Sequence, residues 1–333
     1  MPNARQFDAS RARQALYRGL REFFFAEGYE EVETPILVPT PGMEPHITAF
    51  PVRYEPETGV GTARDLFLHT SPEYAMKRLL ADGAGPIFQI CKVFRNGEVS
   101  STHNPEFTML EFYRPNADYR RIMADLEGAL AAAEAKVGRS SVFQKRPFER
   151  LTVRDALLRE TGIDLKVARD AESLAPQVQA LGIAVDPKDT FDDLFFRVFL
   201  DRVERKLGVE RPTFLLDYPI SMASLSRASP TDPTVAERFE LYVGGLELCN
   251  GFSELTDPVE QRRRLVEEQD FRRTHGRRVY PLDERFIEAV GRMPPCSGVA
   301  VGLDRVLMLM LGTRRIDDVL LFPARDFLEE EPG

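Results

Sequence analysis

The sequence contains no Cys-x-x-Cys pair, and its three cysteines, Cys91, Cys249 and Cys296, are odd in number and far apart. That spacing excludes a zinc ribbon or a disulfide framework and fits a reducing, cytoplasmic setting. Long apolar runs are missing too. The stretch VLMLML at 306–311 is far shorter than the roughly 20 residues a membrane helix needs. The opening MPNARQFDAS carries no apolar signal core, so no membrane partner is expected. Positive charge is not in surplus: 44 Lys and Arg face 53 Asp and Glu, a net charge of −9. Generic nucleic-acid binding relies on the opposite balance. The local basic runs QRRRL (261–265) and FRRTHGRR (271–278) read as solvated helix faces. No internal repeat or low-complexity linker divides the chain.

What is present is apolar residue in quantity: 43% hydrophobic and 10% aromatic over 333 positions, enough for a substantial core. A helix is expected from a cap at Asp8 or Ser10 to about Glu27, with Leu16, Leu20, Phe23 and Phe24 as its stripe and Gly28 ending it. Pro35 and Pro39 keep YEEVETPILVP extended. Residues 53–65 read as a loop between two strands. LFLHTSPEYAMKRLLADG reads as a strand running into a helix, with Thr70 or Ser71 as cap and Pro72 in the first turn. Two strands fill 87–113, and NADYRRIMADLEGALAAAEAKVG is an amphipathic helix. Helical segments near 152–160, 171–181 and 190–207, capped in part by Thr152 and Thr190, suggest a helical insertion or packing layer over about 150–210. A strand at 213–220, a hairpin over 238–252 and a strand at 297–302 follow, with a charged helix at 258–274 and a last helix from near Asp304. Short hairpins imply an antiparallel sheet and an α+β fold.

Three clusters carry chemistry. In FRNGEVSSTHNPEFTMLEFY (94–113), Glu111 shares a strand face with Phe107, Met109 and Tyr113. A carboxylate among bulky groups needs an open face or a cation to meet it. In RFELYVGGLELCNGF, a two-residue turn at Gly244-Gly245 pairs Val243 with Leu246 and Tyr242 with Glu247. Glu240 would then oppose Cys249, on one face with Glu247, and two such carboxylates suit Mg²⁺ or a solvated surface. On this register Asn250, Phe252 and Glu254 line the opposite face, and they join Glu247 only if the strand bulges or twists at Gly251. In GVAVGLDRVLMLMLG, Gly302 and Arg305 stand at a helix start that favours an anion, although a plain junction capped by Asp304 has the same pattern. Arg95 is a second anion ligand, and Glu73 in TSPE fits either a site or a Thr70/Glu73 capping box.

These stretches resemble the second signature, the metal-binding hairpin and the third signature of class II lysyl-tRNA synthetases, and VETPIL resembles the first, which in that class builds the dimer interface. The resemblance runs from about residue 10 to 325. It implies a class II synthetase catalytic domain over 1–333, built on an antiparallel sheet flanked by helices, acting as a homodimer. It implies that Arg95 holds the ATP α-phosphate and Arg305 the γ-phosphate end, as the two catalytic arginines. Asn96, Gly97, Glu98, His103, Asn104, Leu248 and Gly302 would complete the nucleotide site, with Mg²⁺ on Glu240 and Glu247. Glu73 would take an amino group of lysine, and Glu111 and Glu254 its side-chain ammonium. Ser71, Pro72, Tyr113, Asn250, Phe252 and Ala300 would line that pocket.

The departures from the lysyl-tRNA synthetase pattern point to one branch. Only about ten residues precede the first helix, so no N-terminal OB-fold for anticodon reading is expected. Gly97 stands where the family usually has Glu, and Ala300 where synthetases usually have Gly. DYPISMASLS and VAERFELY are similar to the free-standing branch that attaches (R)-β-lysine to a lysine of translation elongation factor P. The resemblance implies that acceptor, with lysine or (R)-β-lysine as the activated amino acid and no stable tRNA binding. The alternatives are a truncated lysyl-tRNA synthetase and a non-catalytic paralogue, the latter disfavoured because both arginines and both carboxylates are kept.

Overall fold

The computed structural model describes residues 2–57 and 59–328. The first helix, α1 (Ala4–Ala26), begins before Asp8, because Asn3 and Gln6 form a reciprocal capping box at its start. Its buried stripe is Ala9, Ala12, Leu16, Gly19, Leu20 and Phe24, and Gly28 follows at φ +78°. Then come β1 (Glu30–Glu31), β2 (Leu37–Val38), β3 (Pro51–Tyr54), β4 (Arg64–Leu68) and α2 (Glu73–Ala81). Of the two candidate caps for α2, the Ser71 hydroxyl accepts from the Glu73 amide at 3.1 Å, whereas the Thr70 hydroxyl is buried without a hydrogen-bond partner among the described residues. The capping-box alternative therefore does not form.

The long hairpin is β5 (Ile87–Phe94) and β6 (Glu106–Pro115), followed by α3 (Tyr119–Val137), capped by Asp118 and closed by Gly138. β7 (Glu149–Thr152), α4 (Val153–Thr161), α5 (Ala171–Ala180) and α6 (Phe191–Val198) make up the helical stretch, with Thr152 and Thr190 as caps. β8 (Thr213–Pro219), β9 (Val235–Val243), β10 (Leu246–Ser253), α7 (Pro258–Thr274), α8 (Glu284–Val290), β11 (Cys296–Gly302), α9 (Leu303–Met310) and α10 (Arg325–Leu328) complete the order. Among the described residues no helix is long and apolar enough to cross a membrane.

Eight strands form one sheet in the order β1-β5-β6-β11-β10-β9-β8-β7. Its six central strands are antiparallel, as expected, while the edge pairs β1–β5 and β7–β8 run parallel. Strand alternation gives the sheet two unlike faces. One carries Phe88, Leu110, Phe112, Val299, Val301, Phe239 and Leu241, buried under α1, α3 and α9 in the main core. On the other, register aligns Gln89, Glu111, Ala300, Asn250 and Glu240 in one row across five strands.

Two smaller cores flank that polar row. Helices α4 to α6 pack on Leu215, Tyr218 and Tyr242 at one end. At the other, Met76, Leu265 and Phe286 pack with Ile87 and Tyr113. The gap between them is the site.

α7 departs from its expectation. Arg262, Arg263 and Arg273 are solvent-facing, but Arg264 donates to the carbonyls of Ser224 and Ser226 at 2.9 and 2.8 Å. Arg272 is fully buried and donates to the carbonyls of Arg278, Glu44 and Ile47. Loop carbonyls that need donors make these arginines interior. Asp304 is likewise not a cap, since its buried carboxylate accepts from Arg13 at 2.5 Å and from the Thr108 amide at 2.6 Å.

Gly19 fixes the approach of α1 to α3: a Cβ there would lie 2.6 Å from the Ala133 Cα. Helix propensity favours Ala by about 1 kcal/mol, but backbone overlap costs about 1–3 kcal/mol. Gly19→Ala is therefore expected to lower the thermal unfolding midpoint, and a rise would show that the helices separate freely.

Candidate active site

A cavity of about 230 Å³ opens onto the polar row. Its wall brings together most of the residues expected from the sequence: Ser71, Glu73, Arg95, Glu98, His103, Asn104, Glu247, Leu248, Asn250, Phe252, Ala300, Gly302 and Arg305. Glu111, Tyr113, Glu240 and Glu254 are not in that lining: Glu111 is bonded to it through Ser71 and to Tyr113, while Glu254 and Glu240 reach it only through Lys77 and Arg238. Pro72 lines a small neighbouring hollow with Glu44 and Glu73, while Asn96 and Gly97 lie in the loop after Arg95.

A bulge in β10 makes this assembly possible. Val243 pairs with Leu246 and Tyr242 with Glu247, as the turn predicts, and Gly244 and Gly245 have φ of +59° and +75°. The register then slips, so Cys249 opposes Leu241 and Asn250 opposes Glu240. The sequence-based pairing of Glu240 with Cys249 is thus off by one, and the irregularity lies between Glu247 and Cys249 rather than at Gly251. An extra residue reverses side-chain parity downstream. Glu247, Asn250 and Phe252 consequently share the site face.

The anion end gathers two arginines. Arg305 donates to the Glu247 carbonyl at 2.7 Å and the Thr102 carbonyl at 3.3 Å, and lies 2.6 Å from His103 Nε2. Burial, then the charges of Arg305 and Arg95, push His103 down to about 4, so the ring is neutral and accepts. Arg95 lies over the Phe107 ring and 4.0 Å from Glu98, and its buried Nε has no hydrogen-bond partner among the described residues. That unsatisfied donor suits an incoming anion. Gly97 sits at φ +86°, a conformation in which Glu would be strained. Asn104 lines the cavity, but its amide is engaged within the chain: it donates to the Glu106 carbonyl at 2.6 Å and accepts from the Ala324 amide at 2.8 Å.

The cation end is a set of buried carboxylates. Glu111 accepts from Ser71 at 2.7 Å and from Tyr113 at 2.6 Å. Burial and then the Glu73 charge push it up to about 8. Gly298 makes room for Tyr113, since a Cβ there would lie 2.3 Å from the ring. Lys77, which sequence reasoning passed over, is fully buried and bridges Glu73 at 2.5 Å and Glu254 at 2.6 Å. Burial opposes its charge, but the two carboxylates prevail and hold the ammonium protonated. Glu254 is itself pushed up to about 7, by burial above all.

Arg238 was also missed. Mostly buried over Tyr218, it donates to Glu240 at 2.6 Å, Asn250 at 3.1 Å and the Met222 carbonyl at 2.8 Å. The other Glu240 oxygen accepts from Tyr218 at 2.5 Å and Tyr242 at 2.7 Å. Its neighbour Glu247 is pushed up to about 7 by burial and then by Glu240. No group of three or more His, Cys, Asp or Glu suited to a metal exists among the described residues. Of the expected Mg²⁺ pair, Glu247 lines the cavity, whereas Glu240 lies outside the lining with both oxygens accepting from Arg238, Tyr218 and Tyr242, so most of any shell would have to come from phosphate oxygens and water.

The fold and this paired anion and cation architecture define a class II synthetase. The chain belongs to the family of tRNA synthetases class II (D, K and N), whose model matches residues 3–326. Among its relatives is the elongation factor P--(R)-beta-lysine ligase of Salmonella arizonae, 40% identical over 313 residues that cover 93% of each chain. The enzymes of that name from Salmonella typhi, 40% identical over 93% of each chain, and Proteus mirabilis, 41% identical over 92% of this chain and 91% of its own, are similar to the same degree.

An ammonium ligand must find Glu111 ionised, so it displaces the proton that the free pocket holds. Lysine binding should therefore strengthen as pH rises from about 6 to 8, approaching tenfold per unit where Glu111 alone titrates. Calorimetry across that range should show it, and Glu111→Gln should flatten the slope.

Proposed function

We propose that the chain is an ATP-dependent, AMP-forming ligase that activates (R)-β-lysine, or lysine, and transfers it to a lysine ε-amino group of translation elongation factor P. The observation that carries this reading is one cavity holding an unsatisfied Arg95 donor at one end and buried carboxylates at the other. A diamino acid joined to a nucleotide has that charge pattern, and the names of the relatives accord with it.

The residues can supply the chemistry by positioning and charge. The amino acid carboxylate attacks the α-phosphorus of ATP in line, its oxygen bonds phosphorus, and pyrophosphate leaves. Arg95 and Arg305 balance the charge that develops on the phosphates. Mg²⁺ bound by Glu247 and Glu240 would neutralise phosphate charge. Ser71, Glu73, Glu111 and Glu254 orient the ammonium groups, so the carboxyl meets phosphorus in a fixed pose. A neutral ε-amine of the acceptor then bonds the carbonyl carbon, AMP leaves with the C–O electron pair, and the nitrogen loses a proton to give an amide.

Transfer to tRNA is the second reading, because a ribose hydroxyl would approach the same carbonyl. The net charge of −9 disfavours it, since counterion release on phosphates needs a basic surface. A cytoplasmic homodimer accompanies the proposal. Ile36 and Leu37, beside Pro35, are over 40% exposed, and exposed Phe322, Phe327 and Leu328 line an apolar cavity of about 590 Å³ near α1. Such surface favours a partner copy.

Two experiments test the proposal. Arg95→Ala should reduce ATP–pyrophosphate exchange by at least about 100-fold with the fold intact, as expected when charge stabilisation at a transition state is removed. Wild-type exchange in that variant would remove Arg95 from the mechanism. In the second, enzyme, ATP and each lysine isomer are incubated with elongation factor P or with tRNA and the products weighed intact. An increment on the protein that survives mild base is expected, and charging of tRNA alone would reverse the assignment. Light scattering should give twice the monomer mass.

A further inference from the structure

One buried carboxylate of the cavity has no role in the mechanism above. Glu44 lies in the loop between β2 and β3 and lines the cavity with Ser71, Glu73 and Arg95. Its Oε2 is buried and accepts no hydrogen bond among the described residues. The loop is built to hold it there. A Cβ at position 42 would lie 2.2 Å from that oxygen, so Gly42 leaves the space into which the carboxylate folds. Arg272 donates to the Glu44 and Ile47 carbonyls at 2.7 and 2.9 Å, tying down both sides of the turn from a fully buried position.

The surroundings identify what is missing. Burial first, and then the Glu73 charge, raise the Glu44 carboxyl, while Arg95 and Arg272 pull it back. Glu73 already has the Lys77 ammonium at 2.5 Å. Glu268 of α7, behind the loop, is pushed up to about 8 by burial, with Glu44 and Glu73 adding to the effect. An isolated buried carboxylate oxygen is costly until a donor reaches it. The position thus has room for one more cation, on the Arg95 side of Glu73. Glu111, by contrast, is engaged through Ser71 and Tyr113, and Glu254 pairs through Oε2 with Lys77, although its Oε1 also has no hydrogen bond among the described residues.

We infer that Glu44 is a specificity-determining residue that binds the substrate's amino group nearest the reacting carboxyl, opposite Glu73. This rests on the proposed activation of a lysine isomer. The reacting carboxyl must lie beside Arg95, where the α-phosphate is held, so the nearer amine falls next to Glu44 and the distal ammonium next to Glu111. The α and β isomers differ in the place of that nearer amine by one carbon, about 1.5 Å of chain. Two carboxylates anchored on different elements, the 41–48 loop and α2, can register such a shift. Hydrogen bonding that one amine position accepts and the other cannot is a strong discriminator.

The test compares wild type, Glu44→Gln and Glu44→Asp in ATP–pyrophosphate exchange with α-lysine and with (R)-β-lysine. The compound 6-aminohexanoate, which lacks the nearer amine, is read as a competitive inhibitor. Glu44→Gln should raise KM for the preferred isomer by about 10- to 100-fold, shrink the preference between isomers, and leave the Ki of 6-aminohexanoate unchanged. Glu44→Asp should recover part of the preference. Glu44→Gln should also melt no lower than wild type, because it replaces a buried carboxylate that has one unpaired oxygen with a neutral isostere. Unchanged KM values, parallel changes in both KM and Ki, or a lowered melting point with the isomer preference intact would overturn the inference. If wild type exchanges with neither isomer, the proposed function itself fails, a result distinct from any that the Glu44 variants give.

Discussion

The Lys77 ammonium, 2.5 Å from Glu73 and 2.6 Å from Glu254, is the contact on which the rest of the site depends. Glu73, Glu111 and Glu254 would otherwise form a buried anionic cluster with hydroxyls alone to support it. Coulomb repulsion at such separations in a poorly solvated interior outweighs what two hydroxyl hydrogen bonds return. One cation therefore serves as counter-charge and as spacer. It ties α2 to the end of the sheet and leaves acceptor capacity still facing the cavity. Removing one partner of such a pair typically costs about 3–5 kcal/mol, because the remaining charge stays buried. The pocket is consequently coupled to the fold beneath it rather than laid on its surface.

The same economy of position governs the sheet. Each central strand contributes apolar side chains to the core under α1, α3 and α9, and polar ones to the row from Gln89 to Glu240. Satellite cores at the two ends of the row keep water from both sides, which strengthens every electrostatic contact between them. Arg238 and Arg305 are oriented by carbonyls and side chains of separate segments. Guanidiniums held by several partners lose little further freedom when a ligand arrives.

Much of this was legible from local pattern. Helix caps at Thr152 and Thr190, the Gly244-Gly245 turn and the signature stretches of the class II family all lie within short windows. What escaped was set by distant partners. Arg272 has the composition of a solvated residue and is interior only because the loop near Glu44, more than 220 positions away in sequence, presents carbonyls to it. Glu44 itself sits among Pro and Gly with no periodicity to betray its burial. Lys77, one helical turn after Glu73, was readable in principle as an i,i+4 pair. The slip after Glu247 left no mark, since an extra residue in a strand looks like any other residue. Glu247, Asn250 and Phe252 line one cavity, whereas the regular register had faced them apart.

That slip has a further consequence for how the hairpin can change over evolution. From Asn250 onward, which residues meet the ligand and which meet the oil of the core is set by counting from the turn with one residue extra. Residue identities can drift one at a time, and the pocket can be retuned. An added position in that strand that stayed in the ladder, however, would exchange the two sets wholesale, turning Cys249 and Gly251 toward the cavity and Asn250 and Phe252 toward the core. The hairpin is in this sense read in frame: tolerant of spelling, intolerant of length.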